Sequence, residues 1–139
     1  MIIQDDIIIA TVRPTLRRIA IITKEFDNEI CSTAFCVLRA KDCLSPLYLY
    51  YCLQRDLFTD RLRDLQRGAS YPAVTDTDIK KQKIPLPPLP IQKQIADILS
   101  AVDSKIEAEK NKARALEKLF QSLLNDLKTG KIRVREAVA

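Results

Sequence analysis

Hydrophobic residues in the last third of the chain keep helical time. From Ile91 to Lys128 no glycine or proline intervenes, and apolar side chains recur at Ile95, Ile98, Val102, Ile106, Ala113, Leu116, Phe120, Leu123 and Leu127. Steps of three and four dominate, which predicts one helix of about 57 Å with an apolar stripe along one side. The four-residue steps through Ile98, Val102 and Ile106 depart from strict heptads and locally relax supercoiling. Between Ile106 and Ala113 the segment Glu-Ala-Glu-Lys-Asn-Lys is almost wholly polar, so the stripe has two apolar ends and a hydrophilic waist. Pro85-Leu-Pro-Pro-Leu-Pro90 precedes the helix as a stiff, polyproline-like junction, with Pro90 placed at the helix edge where a missing N–H costs nothing.

Upstream the period is that of strands. Ile7-Ile-Ile-Ala-Thr-Val is a continuous apolar, β-branched run that predicts a strand buried on both faces, entered through the turn Asp5-Asp6. A basic, proline-containing loop, 13–18, leads to a second strand at 19–23. The turn 26–29 leads to a third at 30–38. From Pro46 the period returns to that of a helix, with Leu49, Tyr50, Leu53, Leu57, Leu62 and Leu65 recurring at helical spacings and Gly68 as its left-handed stop. Residues 69–75 are irregular, 76–82 form a short helix capped by Thr75 or Asp76, and Lys83–Leu86 is a short edge strand. The prediction is an α+β chain: a small mixed sheet with packed helices, followed by one long C-terminal helix of coiled-coil type.

A domain of about ninety residues is nearer 30 Å across than 57 Å, so the long helix overshoots it. Leu116, Leu119, Phe120, Leu123, Leu124 and Leu127 would then be exposed, and such a patch requires a partner. The expected pairing surface is Ile95, Ile98, Val102, Ile106, Leu116, Phe120, Leu123 and Leu127.

Composition narrows the chemistry. The 139 residues include no histidine and two glycines, which leaves no commonest general base and no glycine-rich phosphate loop. Four cysteines lack the paired knuckle spacing of zinc sites, so buried, reduced thiols are expected, and no metal or cofactor. The formal charge of +5 is spread thinly: 13 basic and 11 acidic residues precede Ile91, and 10 and 7 follow. A nucleic-acid surface must therefore be a local patch. No apolar run is long enough to span a membrane, and Met1-Ile-Ile-Gln-Asp-Asp lacks the features of a signal peptide, so a cytoplasmic location is expected.

From Gly68 onward, G-A-S-Y-P-A-V-T-x-x-D-I-K-K-Q-K-I-P-L-P-P-L-P-I-Q-K-Q-I-A-D-I-L resembles the junction between target-recognition domain and conserved helix in type I restriction–modification specificity subunits. Ile84, Pro85, Pro87, Pro88, Leu89, Gln92 or Gln94, Ile95, Ala96 and Leu99 supply that family's habitual string. Leu123–Val134 is similar to its helix-ending segment. The resemblance implies a partial recognition domain over 1–90. Over 91–139 it implies a conserved helix for dimerisation or methyltransferase docking, with a short tail. It implies a non-catalytic subunit that reads double-stranded DNA and docks the methyltransferase subunit, with no enzyme activity of its own. The chain opens at Met1 in what resembles mid-domain and carries one such helix. A truncated or split subunit is therefore expected, paired with a second copy or a complementary fragment. The alternative is a helix-mediated oligomeric scaffold or regulator that does not touch DNA.

On that resemblance, DNA contacts fall to arginines and short polar side chains in two loops. Arg13, Thr15, Arg17 and Arg18 form the first group, and Arg67, Ser70, Tyr71 and Thr75 the second.

Overall fold

A computed structural model describes residues 1–133; Val134, the end of the family-like segment, and the rest of the predicted tail lie outside the described residues. Two compact units divide the chain, Met1–Leu99 and the part from Ser100 onward.

The first unit is built on a three-stranded antiparallel sheet. β1 (Ile7–Ala10) lies between β2 (Ile19–Ile21) and β3 (Phe35–Leu38), with Ile9 opposite both Ile19 and Cys36. Ile7, Ile9 and Cys36 point into a core completed by Leu49, Leu53, Phe58, Leu62, Val74 and Ile79. Ile8 is only half-buried and its β2 neighbour Ala20 is exposed. The apolar run is thus not buried on both faces as its composition suggested, because the helices cover one face of the sheet. The third strand is also shorter than expected. Ile30 is exposed, and a turn closed by Phe35 N–H donating to Ser32 O (3.1 Å) delays pairing until Phe35.

The helix expected from Pro46 to Leu65 is two helices, α1 (Pro46–Leu53) and α2 (Asp56–Asp64), with extended backbone at Arg55 between them. The reason lies in the spacing. Leu49 and Leu53 form one four-residue pair, and Phe58 and Leu62 another. The five-residue step from Leu53 to Phe58 would rotate the second pair about 140° round a single helix. Breaking the helix lets both pairs enter the same core. Gly68 does not stop α2, which has already ended. It sits at φ 94°, and a Cβ there would lie 2.9 Å from the carbonyl oxygen of Tyr71. That close approach forms the turn leading into 69–71.

α3 (Asp76–Lys80) starts with the expected cap. Thr75 accepts from the Asp78 N–H, and the Asp78 carboxylate accepts from the Thr75 N–H, a reciprocal capping box. Lys83–Leu86, expected as an edge strand, joins no sheet among the described residues. Pro85, Pro87 and Pro88 have no N–H, so this segment offers carbonyls in search of donors. Arg61 donates to Lys83 O (3.1 Å), the Tyr48 hydroxyl to Pro85 O (3.1 Å), and the Gln92 carboxamide to Pro87 O (2.8 Å).

α4 (Leu89–Lys128) is 40 residues, about 60 Å, and starts two residues before the predicted position. The Pro88 carbonyl accepts from both Ile91 and Gln92 N–H and closes its first turn. Only Gln92 and Ala96 of this helix are buried among the described residues. Gln92 is fully buried. Its oxygen accepts from Ser45 N–H (2.9 Å), and its nitrogen donates to Cys43 O (3.0 Å) as well as Pro87 O. Ala96 packs beside it against Tyr48 and Cys52 of α1.

Of the cysteines, Cys36 and Cys52 are buried, Cys31 is half-buried and Cys43 is exposed, so burial holds for only part of the set. Burial pushes the Cys36 thiol up to about 11, which leaves it protonated and unreactive at neutral pH. No helix among the described residues is long and apolar enough to cross a membrane.

One further buried polar group secures the start of β1. The Asp6 carboxylate accepts from Arg39 Nε and Nη2 (both 2.8 Å) and from Ile3 N–H (2.9 Å). The Arg39 hydrogen bonds hold its pKa below the ordinary carboxylate value. Because the folded value is depressed, the stability it contributes is complete above the unfolded carboxylate's range and is lost as pH falls from about 4 through the depressed value. Asp6→Ala should lower the unfolding free energy by about 2 kcal/mol at pH 7, and the difference from the parent should shrink in urea titrations at acid pH. Gln92→Ala should cost about 3 kcal/mol in the same assay, because it leaves an N–H and two carbonyls unpaired. The exposed Gln94→Ala should change stability by less than about 0.5 kcal/mol.

Candidate nucleic-acid interface

Past its last paired residue, β1 continues as an irregular edge. Thr11 N–H and Oγ1 both donate to Ala34 O (2.9 and 3.0 Å), and Val74 N–H donates to Thr11 O (2.9 Å). Val12 bridges Ala73, Arg13 N–H donates to Pro72 O (2.8 Å), and Ala73 exchanges two 2.9 Å backbone hydrogen bonds with Arg67. These pairings bring together the two loops singled out by sequence, although more than fifty residues separate Arg13 from Arg67.

Their side chains have different surroundings. Arg13 lies over the Tyr71 ring, with its guanidinium carbon 5.4 Å from the ring centroid, a cation–π contact of about 0.5–1 kcal/mol at an exposed site. Arg13, Arg18 and Tyr71 line a cleft of about 300 Å³ with Val12, Ala34 and Phe35. Arg17 is drawn elsewhere: it forms an ion pair with Asp56 at the start of α2 and reaches Gln54 O (3.5 Å). Arg67 lies 3.6 Å from the Asp78 carboxylate. Thr15 and Ser70 are exposed, while the Thr75 hydroxyl is engaged in the capping box and donates to Asp78 Oδ2 (2.7 Å).

The loop 13–18 holds its shape by backbone geometry as well. Arg13 and Arg17 both adopt left-handed conformations, each at φ 50°, on either side of the 3-10 turn Pro14–Leu16. Such conformations are costly for residues with a Cβ and cluster where the surrounding structure holds them in place. Nothing in the one-dimensional pattern distinguishes Arg13 from Arg17. The distinction comes from Asp56 and Tyr71, which lie far away in sequence.

The second unit consists of helix from Ser100 to Lys128 followed by a short turn. Ile98, Val102, Ile106, Leu116, Phe120, Leu123 and Leu127 are all exposed, as is Ile95 in the first unit. Leu116 and Phe120 show 57% and 58% of their surface. At the waist, Glu107 pairs with Lys110 and Arg114 (3.9 and 3.5 Å), so these charges are partly satisfied within the helix. Among the described residues no cluster of side chains could hold a metal ion.

A family model described as the type I restriction modification DNA specificity domain matches residues 1–118. The chain belongs to this type I specificity family. Two specificity subunits of Methanocaldococcus jannaschii, MjaX and MjaVIII, are 37% identical over 95 residues and 35% over 88 residues. Those stretches cover 68% and 63% of this chain but 22% and 21% of the relatives, so the chain spans about a fifth of their length. The type I restriction enzyme HindI specificity subunit of Haemophilus influenzae is 26% identical over 86% of the chain and 27% of its own length. The crystal structure of the HsdS subunit from Thermoanaerobacter tengcongensis superposes with a TM-score of 0.72 at 35% identity, covering 99% of this chain and 36% of that one.

Among the family's characteristic residues, Gln92 rather than Gln94 is the structurally engaged glutamine. The family string left Gln92 and Gln94 open, and the four-residue step from Gln92 to Ala96 was the signal that separates them: a polar residue one turn before a small one, where another helix can approach closely.

Thr75→Ala should lower stability by about 1 kcal/mol through loss of the cap. Ser70→Ala, in the same loop but without such a role, should leave thermal melting unchanged.

Proposed function

We propose that this chain is a non-catalytic DNA-recognition part of a type I restriction–modification specificity subunit, working in the cytoplasm. On this reading the first unit reads double-stranded DNA, and the long helix docks a methyltransferase subunit and a further helix. The observation that carries it is the meeting of loops 13–18 and 67–75 at one cleft, which presents Arg13, Arg18 and Tyr71 together. Cations positioned beside an aromatic face are suited to phosphate and base-edge contact. Family membership supports the same reading. Thr15, Arg67 and Ser70 extend the contact surface around the cleft, whereas Arg17 and Thr75 support its frame.

The exposed stripe supports the assembly role. Large apolar side chains contribute about 1.5–3 kcal/mol each when fully buried, so a partner helix along this face has ample driving force. Ile95, Ile98, Val102 and Ile106 lie on one side of the waist, and Leu116, Phe120, Leu123 and Leu127 on the other. An antiparallel partner sets one apolar end against the other and waist against waist. A second copy of this chain satisfies that geometry with two-fold symmetry, which makes a homo-oligomeric scaffold the second reading.

The complex with the methyltransferase subunit should bind duplex DNA with an affinity that falls steeply as salt rises. A Phe120→Asp, Leu123→Asp variant should lose most of its recovery with that subunit and shift to lower mass in light scattering. Undiminished recovery would remove the docking role from the helix, and salt-insensitive, undetectable DNA binding by the assembled complex would favour the scaffold.

A further inference from the structure

Four arginines lie in or beside the two loops, and only one has the surroundings of a base-reading group. Arg17 is committed to Asp56, and Arg67 has Asp78 within 3.6 Å. Arg18 lines the cleft without an aromatic ring beneath it. Arg13 has no carboxylate partner among the described residues, and its guanidinium lies over Tyr71. At 5.4 Å from the ring centroid the guanidinium is drawn to the ring face by a cation–π attraction, which leaves its N–H groups available for other hydrogen bonds. Its main chain is held as well, by the 2.8 Å hydrogen bond to Pro72 O and a left-handed backbone at φ 50°, ψ 56°. Ring contact and held main chain together narrow the range of the side chain before any ligand arrives, so less freedom is lost on binding.

A planar pair of donors matches two adjacent acceptors. In the DNA major groove, guanine presents such a pair, N7 and O6, whereas adenine alternates acceptor and donor. We propose that Arg13 is a specificity-determining residue that reads a guanine through its major-groove edge, with Tyr71 as the platform that orients it. This rests on the DNA-reading role of the cleft and goes beyond it by naming the residue and the base. Arg18, exposed and unstacked, serves as a phosphate contact.

The test uses the full chain assembled with its methyltransferase subunit and a library of duplexes with a randomised core. The wild-type complex enriches a motif that includes a G·C pair. Arg13→Lys keeps the charge but not the fork, so it retains non-specific, salt-dependent binding and loses about ten- to a hundredfold of the preference for guanine at one position. Arg13→Gly fits the left-handed backbone, so its melting temperature does not fall, and it loses the same preference. Tyr71→Phe, which keeps the ring, retains the motif, and Arg18→Ala weakens all sequences evenly. If Arg13→Lys enriches the wild-type motif with undiminished preference, or weakens every sequence alike, the assignment is overturned while DNA reading by the cleft stands. If the wild-type complex enriches no motif at all, DNA reading fails and the assignment with it.

Discussion

The buried carboxamide of Gln92 is the constraint on which the seating of the first turn of α4 within the sheet unit depends. A proline-rich segment leaves its carbonyls without neighbouring N–H groups, so an approach such as Pro85–Pro90 needs donors from elsewhere. Gln92 supplies one to Pro87 and another to Cys43, while its oxygen takes the Ser45 N–H at the start of α1. One side chain thus ties the proline segment, the connector before α1 and the first turn of α4. Tyr48 does related work from α1, donating to Pro85 while its ring packs near Ala96. Hydrophobic packing at this junction is modest, with Tyr48, Cys52 and Ala96 at its centre. Directional hydrogen bonds therefore carry much of the geometry. Because two residues of a 40-residue helix are buried, the rest of α4 has little tertiary packing of its own, and packing rather than propensity is what normally holds a helix in water. On the proposed reading, a partner supplies it along the stripe from Ile98 to Leu127.

How far the sequence disclosed this fold depended on whether the decisive contact was local. The long helix, a cap at Thr75 or Asp76 and the proline approach to Leu89 are set by neighbours within a few residues and were legible, whereas the reciprocal bond from Asp78 that decides for Thr75 was not. The helix break at Arg55 was not, because Leu49, Leu53, Leu57, Leu62 and Leu65 sustain a helical count straight across it. Only the shared core of Leu53 and Phe58 requires the turn. The strand at 30–38 failed for a similar reason: Ile30, Cys31 and Phe35 have strand-like composition, but the turn at Ser32 determines where pairing starts. Gly68 was recognised as a backbone special, yet its cause is the nearby Tyr71 carbonyl rather than a helix end.

The candidate site divides along the same line. Its two loops were visible as basic, polar and aromatic interruptions between periodic segments. That they meet depends on Val12, Arg13 and Arg67 pairing with Pro72 and Ala73, which no local pattern discloses. The roles within each loop were less accessible still. Arg13 and Arg17 share a residue type, a loop and a backbone conformation, and they differ because one neighbour is a tyrosine ring and the other a carboxylate. Thr75 looked available for contact because its position in a polar loop suits either capping or recognition. The Asp78 carboxylate and N–H both engage its hydroxyl, which places it in the frame of α3.

A thin excess of positive charge has a consequence for how the proposed reading would work. Non-specific DNA affinity comes mainly from neutralising phosphates and releasing counterions. The segment before Ile91 has 13 basic residues against 11 acidic ones, and Arg17 and Arg67 already face carboxylates. Few cations remain for the backbone of the duplex, so the first unit alone has little of the electrostatic attraction that brings a protein to DNA. A pre-oriented arginine can discriminate between bases without providing that attraction. On the proposed reading, Arg18 adds one phosphate contact, most of the others come from the partner that docks on α4, and discrimination comes from the cleft. Affinity is then supplied largely by another chain and specificity by this one, while the hydrogen bonds of Gln92 hold the first turn of α4 within the unit that discriminates.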